Sequence, residues 1–101
     1  MNIYVGSTAK ISGKEVKTVT VGGRPLVSEH LIEHKCSFNW GYLGHGSNYL
    51  AEALLFNLGY NNKFVSDNRG KVAGTFIAGL PDNWEFTESE LRNKISQIIA
   101  Q

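Results

Sequence analysis

The stretch "FNWGYLGHGSNYLAEALLFNLGY", Phe38 to Tyr60, decides the fold. Gly41, Gly44 and Gly46 run directly into Tyr49, Leu50, Ala53, Leu54 and Leu58, which recur at the spacing of one helical face. Gly59 is a natural stop just beyond them. The pattern predicts an amphipathic helix from about Ser47 to Leu58, entered through a glycine-rich turn. That turn has two readings. A helix N-terminus carries unpaired N–H groups and a partial positive charge, so a glycine-lined entry can hold an anion. Alternatively, the glycines only allow a tight strand-to-helix corner and the nearby aromatics pack in the core. The spacing G-x-x-G-x-G is neither the dinucleotide fingerprint nor the Walker loop, and no Lys follows the last glycine.

Before this stretch the chain reads as strands. "NIYVGS" is a short strand ending at Gly6, and "KEVKTVTV" alternates with β-branched residues. "KISGK" between them gives a hairpin around Gly13. Gly22-Gly23 breaks the second strand, and Arg24-Pro25 leads away from it. "SEHLIEHK" is a short helical turn with Ser28 as N-cap.

After the central helix, "YNNKFVSDNRGK" reads as a polar loop with a brief strand at Phe64-Val65, and Asp67 to Gly70 as its exposed tip. "KVAGTFIAGL" reads as a buried strand. Trp84 is a core anchor. Thr87 and Glu90 form a capping box, with Phe86 and Leu91 placed for a hydrophobic staple. Leu91, Ile95, Ile98 and Ile99 then give a helical apolar stripe. The expected architecture is a single α+β domain over residues 1–101: an antiparallel sheet of three or four strands packed against two helices.

Composition narrows the function. The chain has 101 residues, 42% hydrophobic and 19% charged, with a formal net charge of +1. Its ten Lys and Arg residues are scattered, which argues against duplex nucleic acid, a partner that demands a basic stripe. A single cysteine, Cys36, excludes an intramolecular disulfide and a Cys-rich zinc site. No apolar run approaches the ~18 residues of a membrane span. A soluble cytoplasmic protein is the expectation.

Three constellations could carry chemistry. "HLIEH", His30 to His34, matches a zinc-binding H-x-x-E-H pattern, but no third ligand is marked and the segment is short. Exposed histidines beside solvated glutamates are the plainer reading, so no metal and no cofactor are expected. No nucleophile–base arrangement or apolar carboxylate pair argues for an enzyme. The glycine turn is the third. His45 and Ser47 supply donors at the same helix end, Gly44 and Gly46 allow close backbone approach, and Trp40 and Tyr42 offer stacking surfaces. Arg24 is the best placed isolated cation should an anion bind. The candidate ligand site is therefore Arg24, Trp40, Tyr42, Gly44, His45, Gly46 and Ser47.

Taken together, "YVG", "VTVGGRPL", "EHKCSFNWGYLGHGSNYLAEALL", "FIAGLP" and "NWEFTESEL" resemble the domain-of-unknown-function family numbered 6166, found in bacteria, phages and mobile elements. Its signature, roughly F-x-W-G-Y-x-G-S-G-P-x-x-L-A-x-A-L-L, falls on Phe38, Trp40, Gly41, Tyr42, Gly44, Gly46, Leu50, Ala51, Ala53, Leu54 and Leu55. Its G-R-P-L element matches Gly23 to Leu26, and its upstream histidine matches His34. Where the family carries serine and proline in the turn, this chain has His45 and Ser47. The resemblance implies a fold and a phage or mobile-element setting, without a settled activity. Small phage proteins that are not structural are often inhibitors of host systems. One expectation is a non-enzymatic accessory protein that binds a small anionic, nucleotide-like ligand and sequesters a host defence signal. The alternative is a protein-interaction module that covers a host protein's surface. A homo-oligomer, with a pocket shared between subunits, is compatible with either.

Overall fold

The structure is a computed structural model and describes residues 2–27 and 38–100. The helical turn at Ser28, the HLIEH motif and Cys36 fall outside the described residues.

The chain opens with strand β1 (Ile3–Ile11), which turns back as β2 (Lys14–Val21). Ser12 and Gly13 make the connection with φ of 52° and 78°. Two consecutive positive φ values define a type I′ turn, whose twist matches that of paired strands. Gly22 and Gly23 repeat the device, with φ of 58° and 83°, and return the chain as the two-residue β3 (Arg24–Pro25). The Gly-Gly pair therefore turns the chain back onto β2 rather than leading it away. β1 also runs past Gly6, the residue expected to end it, for five more positions.

Helix α1 (His45–Asn57) follows the glycine-rich corner. It ends in a Schellman motif: the Tyr60 N–H donates to the Leu55 carbonyl at 3.1 Å and the Gly59 N–H to Phe56 at 3.0 Å. Helix α2 (Asn62–Thr75) then occupies the segment that the sequence suggested was a loop and a strand. Three local features explain the correction. The Asn61 side chain caps the helix by accepting from the Phe64 N–H at 2.8 Å. Val65 and Val72 lie seven residues apart, so both turn inward with Ala73, and all three are buried. Lys63 and Asp67, expected in a loop and its tip, pair across one turn at 3.0 Å. A 3-10 turn (Ile77–Gly79) completes what looked like a strand.

Strand β4 (Trp84–Thr87) leads straight into helix α3 (Glu88–Ile99). The capping box is present as expected: the Glu90 N–H donates to Thr87 Oγ1 at 3.2 Å, and the Thr87 N–H to Glu90 Oε1 at 2.8 Å. β4 pairs antiparallel with β1, giving a four-stranded sheet in the order β3-β2-β1-β4. The α+β class and the antiparallel sheet are as expected, but the described residues hold three α-helices rather than two.

The helices lie on one face of the sheet. Tyr4, Gly6, Val19 and Trp84 are buried, and the register sets Gly6 opposite both Val19 and Trp84. These residues share the inner face, because side chains alternate along a strand. Ile3 and Ile11 on the other face are 39% and 59% exposed. Tyr4 donates to Asn57 Oδ1 at 2.6 Å, tying β1 to the end of α1. Burial, reinforced by the Glu88 carboxylate and opposed by Arg92, pushes its phenol up from the ordinary tyrosine value. Arg92 on α3 donates to the Leu58 carbonyl at 2.5 Å, so a cation meets the negative end of α1.

Candidate functional site

Phe38 to Trp40 enter the corner from the helix side of the sheet. Trp40 is only 1% exposed and meets Trp84 edge-on, with ring centroids 5.5 Å apart. The Trp40 carbonyl accepts from Lys17 Nζ on β2 at 2.9 Å, and the same ammonium lies 5.0 Å from the Trp40 ring. Gly41 then turns the chain with φ of +85°, a conformation that L side chains rarely adopt. Its N–H donates to the Ile77 carbonyl at 3.2 Å.

The remaining corner residues bind one another. Asn39 accepts from the Trp40 N–H at 2.9 Å and donates through Nδ2 to the Tyr42 hydroxyl at 2.8 Å. Ser47, fully buried, donates to the Tyr42 carbonyl at 2.5 Å. Asn48 donates to the Gly44 carbonyl through its backbone N–H at 3.1 Å and its side chain at 3.2 Å. Gly44 is the N-cap of α1, with extended backbone and no side-chain cap, and no acidic residue stands in the first turn. A Cβ at Gly44 would come within 2.9 Å of the Tyr42 ring, an exposed group that can swing aside. Gly41, rather than Gly44, is the glycine that the turn geometry demands.

The seven candidate residues thus divide into three groups. Trp40 and Ser47 point inward and belong to the packing of the corner. Tyr42, 54% exposed, and His45 face solvent at the helix entry, and Gly46 is half-buried beside them. His45 stacks on Tyr49 at 6.2 Å. Arg24 sits in β3 opposite Val21, exposed at the sheet edge. Among the described residues no hydrogen bond or ion pair joins it to the corner. Among the described residues, clefts of about 210 and 310 Å³ lie away from the corner, one between Phe86 and the outer face of α3, the other along β1 and β4.

Two residues that the sequence reading passed over belong to this region. Leu43 is 63% exposed at the apex of the corner. Lys17 keeps a side chain only 12% exposed, with Glu15 Oε1 at 3.7 Å from its Nζ. The alternation along β2 carried the signal for Lys17, because it shares the inward parity of Val19.

Ser47 offers a direct test of the bracing. We expect Ser47→Ala to lower stability by about 1–2 kcal/mol, because the Tyr42 carbonyl loses its donor in a water-poor site. Urea denaturation checks it, and an unchanged midpoint would show that the bond contributes nothing.

Among the described residues no three His, Cys, Asp or Glu side chains converge to hold a metal ion. No helix there is long and apolar enough to cross a membrane. The geometry defines a two-layer α+β protein whose distinguishing feature is a braced strand-to-helix corner. The chain belongs to the family of unknown function DUF6166, whose profile matches residues 4–97. No curated protein and no solved structure matches it.

Proposed function

We propose that the chain is a non-enzymatic binding protein that docks on a partner protein through the apex of its glycine-rich corner. What supports this reading is the pairing of Tyr42 and Leu43, two large apolar side chains in succession that remain 54% and 63% exposed. They stand on backbone tied down at Trp40, Gly41, Tyr42 and Gly44, with the Asn39 side chain bonded to the Trp40 N–H and the Tyr42 hydroxyl. A rigid apolar anchor loses little entropy on binding, as interface hot spots require. In the phage or mobile-element setting that the sequence resemblance implies, the partner is a host protein.

A second reading, capture of a small anionic ligand, is favoured by one feature. The α1 N-terminus has no side-chain cap and no acidic neighbour, and His45 stands exposed beside it. The inward placement of Trp40 removes its ring as a stacking wall for such a ligand.

One comparison separates the two. Tyr42→Ala with Leu43→Ala should leave the melting temperature nearly unchanged, since both side chains are exposed. The expected result is a stoichiometric partner captured from host lysate by the wild type and lost with the double variant. Capture that survives the double substitution, or no capture at all, would sink the docking reading. Calorimetric binding of a nucleotide that His45→Ala abolishes would establish the anion reading in its place.

A further inference from the structure

Beyond β3, the edge of β2 carries alternating charge at Glu15 and Lys17. The two-residue turn makes Ile11 and Lys14 a pair that exchanges both backbone hydrogen bonds, and alternate pairs up the hairpin follow suit. The Gly22 N–H, donating to the Ile3 carbonyl at 3.0 Å, fits this phase. The backbone groups of Glu15, Lys17 and Val19 therefore point away from β1. The Val19 carbonyl is taken by the Leu26 N–H at 2.9 Å, and β3 pairs only with Thr20 and Val21. Among the described residues no strand other than β1 pairs with β2 at Glu15 or Lys17.

An edge lysine usually blocks strand addition. Here Lys17 is accompanied on the same face by Glu15, and that changes what the edge accepts. When β2 meets a second β2 antiparallel about a two-fold axis at Val16, Glu15 of each strand lies opposite Lys17 of the other. Shifting the axis to Lys17 sets lysine against lysine, and shifting it to Glu15 sets glutamate against glutamate, both unfavourable. Only the register centred on Val16 joins outward-facing backbone groups with opposite charges. On that face the Trp40 carbonyl holds Lys17 Nζ at 2.9 Å, and Glu15 Oε1 of the same strand lies 3.7 Å from it. Val16, half-buried and β-branched, would meet its own copy on the opposite face.

We propose that the chain forms a two-fold homodimer by antiparallel pairing of β2 edges, with Glu15 opposite Lys17 of the partner and Val16 opposite Val16. The contact is isologous, so it closes at two copies. It joins two four-stranded sheets into one, at an edge separate from the apex of the corner. The interface is small, so association is concentration-dependent.

Sedimentation under reducing conditions, at concentrations up to roughly 500 µM, should show a monomer–dimer equilibrium. Glu15→Lys, which sets lysine against lysine, should weaken the dimer at least tenfold. Glu15→Pro, which removes an outward N–H without touching the ladder to β1, should do the same. Unchanged circular dichroism would show that both variants remain folded. The register has its own readout in a Cys36→Ser background. Val16→Cys, with an expected Cα separation of about 4.5–5.5 Å across the axis, should cross-link under oxidised glutathione. Thr18→Cys, roughly 13 Å from its copy, should not. A chain monomeric throughout the range overturns the proposal. So does a dimer that both Glu15 substitutions leave intact, or cross-linking as efficient at Thr18 as at Val16. A monomer whose Glu15 and Lys17 amides are nonetheless protected from hydrogen exchange would assign the edge to another segment and also overturn it.

Discussion

Replacing Trp40 by alanine should lower the stability of the protein by about 3–5 kcal/mol, the usual cost of truncating a buried aromatic side chain. The indole is 1% exposed, packs edge-on against Trp84 and lies beneath the Lys17 ammonium. Its removal leaves a cavity where the corner meets the sheet, and close-packed surroundings collapse into such a space only in part. A protein of this size has roughly 5–15 kcal/mol of stability in all, so the variant would stand near the unfolding threshold. Urea denaturation at constant m-value measures the effect. Trp40→Phe should cost much less, because it keeps most of the volume and removes an indole N–H that is buried without a partner among the described residues. A loss below about 1 kcal/mol for Trp40→Ala would show that the ring is not part of the core. A change in the affinity of some ligand at unchanged stability would return Trp40 to the role of a binding surface.

Gly6→Val should be nearly as damaging, for the opposite reason. Glycine inside a strand is ordinarily a weakness of about 0.5–1 kcal/mol, so sequence reasoning alone would expect a larger side chain to stabilise β1. In the fold, a Cβ at Gly6 would lie 2.1 Å from Trp84 Cε2 and 2.3 Å from Nε1. The Trp84 indole cannot swing aside, because it is 6% exposed and held between Trp40 and Phe86. Overpacking of this kind costs about 1–3 kcal/mol, and the branched valine should reach or exceed the upper end. The mechanism predicts strong coupling: in a Trp84→Leu background the same substitution should cost far less. A double-mutant cycle by thermal melting reads this, and additive costs would refute the contact between Gly6 and the indole as the cause.

These two residues mark where the sequence was legible and where it was not. Features written in short-range chemistry were readable. The hairpin at Gly13, the stop at Gly59 and the Thr87–Glu90 capping box each depend on a few neighbouring residues, and each is found in the fold. Helix α2 was not legible. Its segment carries Gly70 and Gly74, both poor helix formers, and its inward residues Val65, Val72 and Ala73 leave most of the surface polar. The helix is sustained by packing against α1 and α3, a contribution that no window of local sequence contains.

The candidate site divides along the same line. Its residues were found by type: aromatics, donors and glycines gathered before an apolar helix. Their orientation could not be read, because Trp40 and Tyr42 are separated by one residue and yet end on opposite sides of the boundary with solvent. Gly41, at φ of +85°, reverses the direction in which the chain presents its side chains. Lys17, distant in sequence, enters only because the β1–β2 register carries it beneath the Trp40 carbonyl.

By itself the sequence determined the local signals: strand alternation, turn chemistry, helix caps and the motif that places the chain in its family. Only the tertiary structure decided which of two neighbouring aromatics is core and which is surface. It also decided why Gly6 must remain glycine and how a polar segment becomes a helix. Local signals arise from interactions within a few residues, whereas burial depends on what arrives from elsewhere in the chain. Trp84, β4 and α2 reach the corner only once the sheet order β3-β2-β1-β4 is complete.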